Sequence, residues 1–216
     1  MGTDSEKPKR ALIIYYTFST QTAKLVHHLR KGFKEAGIEV ETLKLIPEKK
    51  LSFPLHSVSR TISMMLRTFF RQRVQIKPVD KEQIRKADII VLAGPTWSYN
   101  PSGPVLDFLD KYSYLLKGKK VLPVISCRKY WRTHYRYLKR KITSCGGKCL
   151  SPIVFTHLIK EPWSTIGTFM TIAGINPRHH SFMRKHYPRY GHNQTQLAEM
   201  EKRARDIARS LASPFP

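Results

Sequence analysis

The run Ala11-Leu-Ile-Ile-Tyr-Tyr16 constrains the chain most, because it is apolar without alternation and passes through Thr17-Phe18-Ser19-Thr20-Gln21-Thr22 straight into a helical pattern. A short run of this kind is expected of a parallel strand buried on both faces. The segment behind it brings the hydroxyls of Thr17, Ser19, Thr20 and Thr22 to a helix N-terminus, where free N–H groups and the positive dipole end favour an anion. A phosphate dianion would be satisfied there without a lysine.

The same reading continues along the chain. Thr22 to Ala36 is helical, Gly37 stops it, and Glu39 to Leu45 is a second strand. A short helix at Lys81 to Lys86 leads into strand Asp88 to Ala93, which Gly94 and Pro95 should end. Helix Ser102 to Leu116, strand Lys120 to Ser126, a basic helix Arg128 to Ser144 and strand Lys148 to Phe155 follow. Helix Asn193 to Leu211, capped by Asn193, closes the chain. Pro123 lacks a ladder donor, so it should sit at a bulge or where its nitrogen faces no partner. Five strands alternating with helices predict an α/β fold with a doubly wound five-stranded parallel sheet, since parallel neighbours need crossover connections. One domain over residues 1–216 is expected, with insertions at about 47–79 and 157–191 whose aromatic content argues against disorder.

Such sheets bind ligands at the carboxyl ends of their strands, which singles out Thr17 to Thr22, Gly94 to Gly103 and Cys127 to Trp131. In the second loop, Pro95, Thr96 and Ser98 let the backbone approach a planar ligand. Trp97 and Tyr99 are candidates to cover its faces, and Asn100 to bond its edge. In the third, Cys127 is either a thiol that touches the ligand or acts in redox chemistry, or a small buried residue, and Arg128 at the expected helix start would neutralise an anion. Trp131 completes that loop. Three cysteines without a zinc template read as reduced thiols. The group His179, His180, His186 and His192 lacks regular ligand spacing, so no metal is expected.

The net charge of +24 and pI of about 10.2 make acidic partners a necessary consideration. No nucleic-acid motif accompanies the basic residues, so nucleic acid rests on charge alone. The segment Leu51 to Arg73 mixes arginines with apolar residues, and suits either a lid over a pocket or an amphipathic helix on anionic lipid. No apolar run approaches a membrane span, and the polar Met1 to Arg10 lacks a secretory core. A cytoplasmic protein, with peripheral membrane contact through 51–73 as an added option, is the expectation.

With Thr17-Phe18-Ser19-Thr20-Gln21-Thr22 in the place of a (Ser/Thr)-x-(Ser/Thr)-Gly-x-(Ser/Thr) loop, the chain resembles the flavodoxin family over roughly Ala11 to Phe155 and the last helix. That resemblance implies strand order 2-1-3-4-5 and FMN held by Thr17, Ser19, Thr22 and the loop amides, with Pro95 to Asn100 beside the ring system. Thr20 stands where the family keeps glycine, so the left-handed turn and close phosphate approach are the points at issue. Ser126-Cys127-Arg128-x-x-Trp131 and Phe53-Pro54 are also similar to a subgroup named dialkylresorcinol condensing-enzyme-like. The function implied is an FMN-dependent oxidoreductase, reducing a hydrophobic or anionic acceptor such as a quinone, with NAD(P)H as a candidate donor. The alternatives are a flavodoxin-type electron carrier and a flavin-free module that binds an anionic membrane surface or nucleic acid. Substrate and oligomeric state are not legible.

Overall fold

Successive side chains of a strand point to opposite faces, and β1 (Arg10–Tyr15) shows what that demands of this chain. Ala11 and Ile13 enter one core cluster and Leu12 and Ile14 the other, and all four are buried. The computed structural model describes residues 9–212.

After β1 come α1 (Gln21–Glu35), β2 (Glu39–Lys44), α2 (Val58–Phe69) and α3 (Lys81–Lys86). Next are β3 (Ile89–Trp97), the two-residue β4 (Asn100–Pro101), α4 (Gly103–Tyr112), β5 (Lys120–Cys127) and α5 (Arg132–Ser144). β6 (Lys148–Cys149), β7 (Ile153–Thr156), α6 (Trp163–Ala173), α7 (Ser181–His186) and α8 (Gln194–Ala212) complete the described chain. The parallel order is β2-β1-β3-β5, with β6 and β7 both on the outer side of β5. With the β4 hairpin set aside, this is the expected doubly wound flavodoxin-like order.

Residues of α1 and α8 cover one face of the sheet; those of α3, α4 and α5 cover the other. The α1–α8 seam is tight because Gly32 sits in it: a Cβ there would lie 2.4 Å from the Glu201 carbonyl oxygen. Asn193 caps α8 as expected, its Oδ1 accepting from the Gln196 N–H at 2.8 Å while Gln196 Oε1 accepts from the Asn193 N–H. This reciprocal pair satisfies two otherwise orphaned donors.

Three expectations need correction. Gly94 and Pro95 do not end β3, because they pair with Ile125 and Ser126 of β5 and the strand runs on to Trp97. The last strand is broken: β6 pairs Lys120 and Val121, β7 pairs Val124 to Cys127, and Leu122 and Pro123 lie between the two registers. The outer strand is therefore interrupted opposite Pro123, which is how the sheet accepts a residue without a donor. Finally, the basic helix starts at Arg132, so Arg128 is in a loop and not at a helix start.

The two insertions pack on each other. The Leu55 N–H donates to the Ile172 carbonyl at 2.7 Å, α2 lies against α6, and the Phe53 ring stacks on Tyr190. An antiparallel bridge between Pro47 and Ile76 closes the base of the first insertion, where the Ile76 N–H donates to buried Asp107. Among the described residues, no helix is long and apolar enough to cross a membrane.

Candidate functional site

At the carboxyl end of β1, Thr20 precedes α1 at φ 64°, in the left-handed region. The turn that glycine would serve is therefore kept by threonine, at a cost of about 1–2 kcal/mol. Thr20 itself makes no side-chain cap bond and the first turn holds no acid, which leaves the N-terminal dipole and the N–H groups before Ala23 available to an anion. Thr17 Oγ1 accepts from the Ala23 N–H at 3.4 Å, and Gln21 and Thr22 are buried.

The far side of this loop is covered by residues that local pattern did not reveal. The Tyr190 hydroxyl donates to Ser19 Oγ at 2.8 Å, the His192 N–H donates to Gln21 Oε1 at 3.0 Å, and Gly191 lies where any Cβ would meet the Gln21 side chain at 2.2 Å. His192 also sits 2.8 Å from Ser126 Oγ, and its ring meets His157 edge to face. Burial holds both imidazoles neutral, pulling them from 6.5 to about 4. The only sequence signal here was a tyrosine and a histidine around Gly191.

The β3 loop is a tight reversal. Trp97 pairs with Asn100, and the two residues between them, Ser98 and Tyr99, have φ 43° and 72°. Two-residue hairpins with both central residues at positive φ usually contain Asn and Gly, so a Ser-Tyr pair stores strain at the candidate site. The strained tip is tied to α2. Ser98 Oγ donates to the Met65 carbonyl, and buried Asn100 donates to the carbonyls of Thr68, Phe69 and Ser98 while accepting from Arg71 Nε. The Asn100 NH2 is thus spent on the carbonyls of α2 and of Ser98 and has no donor left for a ligand edge.

Trp97 points inward, not along the outer face of the loop: its ring meets Tyr16 and Phe18 edge to face at 5.6 and 5.4 Å. Tyr99 is exposed and rests against Tyr130 of the β5 loop, ring centroids 5.1 Å apart. Thr96 bonds His134 at 2.8 Å, a histidine whose burial lowers its pKa to about 3. Cys127 is buried, and burial pushes its thiol up to about 12, which keeps it neutral. Arg128 turns to the second insertion, bonding Thr165 beside Glu161, and Trp131 packs against Arg132 and Tyr135.

A cavity of about 590 Å³ opens beside Phe18 and Trp97. Leu51, Leu55 and Met64 give it an apolar wall, while Arg60, Arg67 and Lys49 add positive charge against the single carboxylate of Glu48. The first insertion builds most of this cavity. The segment 51–73 is therefore a cavity wall, as a lid requires.

Three strand ends thus meet at one edge, as in the proteins this fold resembles. A flavodoxin from the domain Archaea superposes with a TM-score of 0.55 at 13% identity, over 94% of this chain and 99% of that one. A flavoprotein in complex with FMN from Lactobacillus acidophilus NCFM gives 0.55 at 16%, over 68% and 93%. No curated protein matches the chain by sequence. Residues 19–143, from inside the hydroxyl-rich loop to the end of α5, match the NADPH-dependent FMN reductases. That match covers more than half of the 216 residues and begins in the hydroxyl-rich loop before α1, so the chain belongs to the NADPH-dependent FMN reductase family, a flavodoxin-like family of FMN-binding proteins.

Proposed function

We propose that the protein is an FMN-dependent oxidoreductase that takes hydride from NAD(P)H and reduces a hydrophobic, anionic acceptor of the quinone type. Bound FMN supplies the two-electron chemistry, so no acid–base pair is demanded of the chain. The residues present fit the cofactor's phosphate. The left-handed Thr20, the acid-free start of α1, and the hydroxyls of Thr17, Ser19 and Thr22 form a site for a dianion. Phe18 and Gln21 frame it, with Tyr190 and His192 closing the outer side. The loops Pro95 to Asn100 and Cys127 to Trp131 would hold the ring system, with Tyr99 and Tyr130 as its exposed aromatic neighbours.

The observation that carries the acceptor class is the cavity beside Phe18 and Trp97. Its apolar wall suits a fused-ring acceptor and its arginines an acidic substituent, since guanidinium matches a carboxylate or phosphate bidentately. The electron-carrier reading fits less well, because carriers present acidic surface around the flavin edge and this chain is strongly basic.

The test has two stages. The purified protein should be yellow and release FMN on denaturation; a colourless protein that takes up no FMN overturns the redox reading. The yellow protein should then oxidise NADPH faster with a carboxylated naphthoquinone than with the neutral parent. Arg60→Gln with Arg67→Gln should erase that preference, chiefly through KM. Equal rates for the two quinones would refute the anionic acceptor while leaving FMN in place.

A further inference from the structure

Helix α2 is inverted with respect to the ordinary rule of burial. Its fully buried residues are threonines, with Thr61 at 0% exposure, whereas Phe69 is 56% exposed and Phe70, just beyond the helix, 77%. Val58, Ile62, Met65, Leu66 and Phe69 recur at intervals of three and four, so they form one uninterrupted apolar stripe. All five are exposed. Arg60, Ser63 and Arg67 lie on a different flank, which faces the cavity, so the stripe takes no part in the site already described. Helix propensity does not account for it, and neither does cover by the rest of the chain. On a soluble protein, a contiguous exposed apolar face marks a surface that something else covers.

We propose that α2 docks the protein onto an anionic lipid bilayer, its apolar stripe entering the headgroup boundary. Charge selects this occupant. At +24 the chain repels a second copy of itself, whereas an anionic leaflet attracts it. The stripe itself is Val, Ile, Met, Leu and Phe with no polar residue in line, which supplies buried area but no hydrogen-bond pattern for recognising a specific protein. Its form agrees: a helix of 12 residues, about 18 Å long, anchored on its buried side to Ser98 and Asn100, lies along a surface and does not span one. The second insertion, packed against α2 through α6, adds exposed Ile166 and Phe182. The docking itself requires nothing of the flavin, so its failure leaves the redox reading untouched.

The experiment is co-sedimentation of the intact protein with vesicles of phosphatidylcholine alone or with one-third phosphatidylglycerol. The wild type should bind the anionic vesicles and not the neutral ones. Leu66→Ser with Phe69→Ser should weaken binding at least tenfold, with unfolding midpoint and net charge unchanged. Equal binding by that variant and the wild type would mean that charge alone acts, and would overturn the proposal. So would absence of binding, or a wild-type dimer in solution that the double substitution dissolves, which would assign the stripe to a second copy. As a second readout, Phe69→Trp should give a blue-shifted emission component only with anionic vesicles; an unshifted spectrum would count against insertion.

Discussion

Helices α1 and α2 are both amphipathic in sequence, yet α1 buries its apolar stripe and α2 leaves its own uncovered. Leu25, Val26, Leu29 and Phe33 of α1 are 0–4% exposed, because the sheet and α8 close over them and Gly32 lets α8 approach. Among the described residues, no layer lies over the apolar stripe of α2. It is held from one side by the hydrogen bonds of Ser98 and Asn100 and by α6, and what reaches the interior there is Thr61 and Thr68. A helical stripe therefore tells which residues share a face but not what will cover them.

The comparison can be broken most directly in the two phenylalanines. Phe33→Ala should cost about 3–5 kcal/mol, read as a lowered urea midpoint, because it leaves a cavity in a closed core. Phe69→Ala should stay within about 0.5 kcal/mol, so a large loss there would mean that α2 is covered after all.

Acid should act through the buried histidines, of which His134 lies beside Thr96 and two lie on the α1 side. His157 and His192, at the cover over the start of α1, titrate near 4 in the folded protein and near 6.5 unfolded, so the unfolded state takes up protons first as pH falls. Stability is then intact above about 6.5 and declines toward 4, by up to about 3 kcal/mol for each histidine. Unfolding midpoints at pH 7 and 4.5 measure this, and His192→Gln should flatten the decline.

Smaller effects should separate the two helix starts. α2 is capped by Ser57, whose Oγ accepts from the Arg60 N–H at 3.3 Å, so Ser57→Ala should lose about 1 kcal/mol. At α1 the residue in the cap position, Thr20, has no cap bond to lose and is strained. Thr20→Gly should therefore raise stability by up to about 1 kcal/mol, the released strain exceeding the entropy that glycine adds to the unfolded chain. A loss on Thr20→Gly would show that the threonine makes an interaction beyond its backbone turn.

What could be read in advance was whatever depends on neighbours in the chain. α3 lies at Lys81–Lys86 as its pattern indicates, flanked by Asp80, whose side chain accepts from the Glu82 N–H. β1, α1 and the capping Asn193 follow from local periodicity and composition in the same way. Reading failed where a distant partner decided. Gly94 and Pro95 look like a stop, but their pairing with Ile125 and Ser126 extends β3. Asn100 reads as a ligand donor and is consumed by α2.

Local pattern along the chain is enough to specify the alternation of strand and helix, the parallel sheet that alternation requires, and the hydroxyl-rich approach to a helix N-terminus. Those depend on side-chain period, turn residues and backbone donors over spans of a few residues. Only the tertiary structure decided that Tyr190 and His192, 171 residues away in the chain, would close over Ser19 and Gln21. It also decided that Thr20 would hold a glycine's turn, and that α2 would turn its arginines to a cavity and its phenylalanine outward. Burial is a property of what packs above a residue, and periodicity carries no record of that.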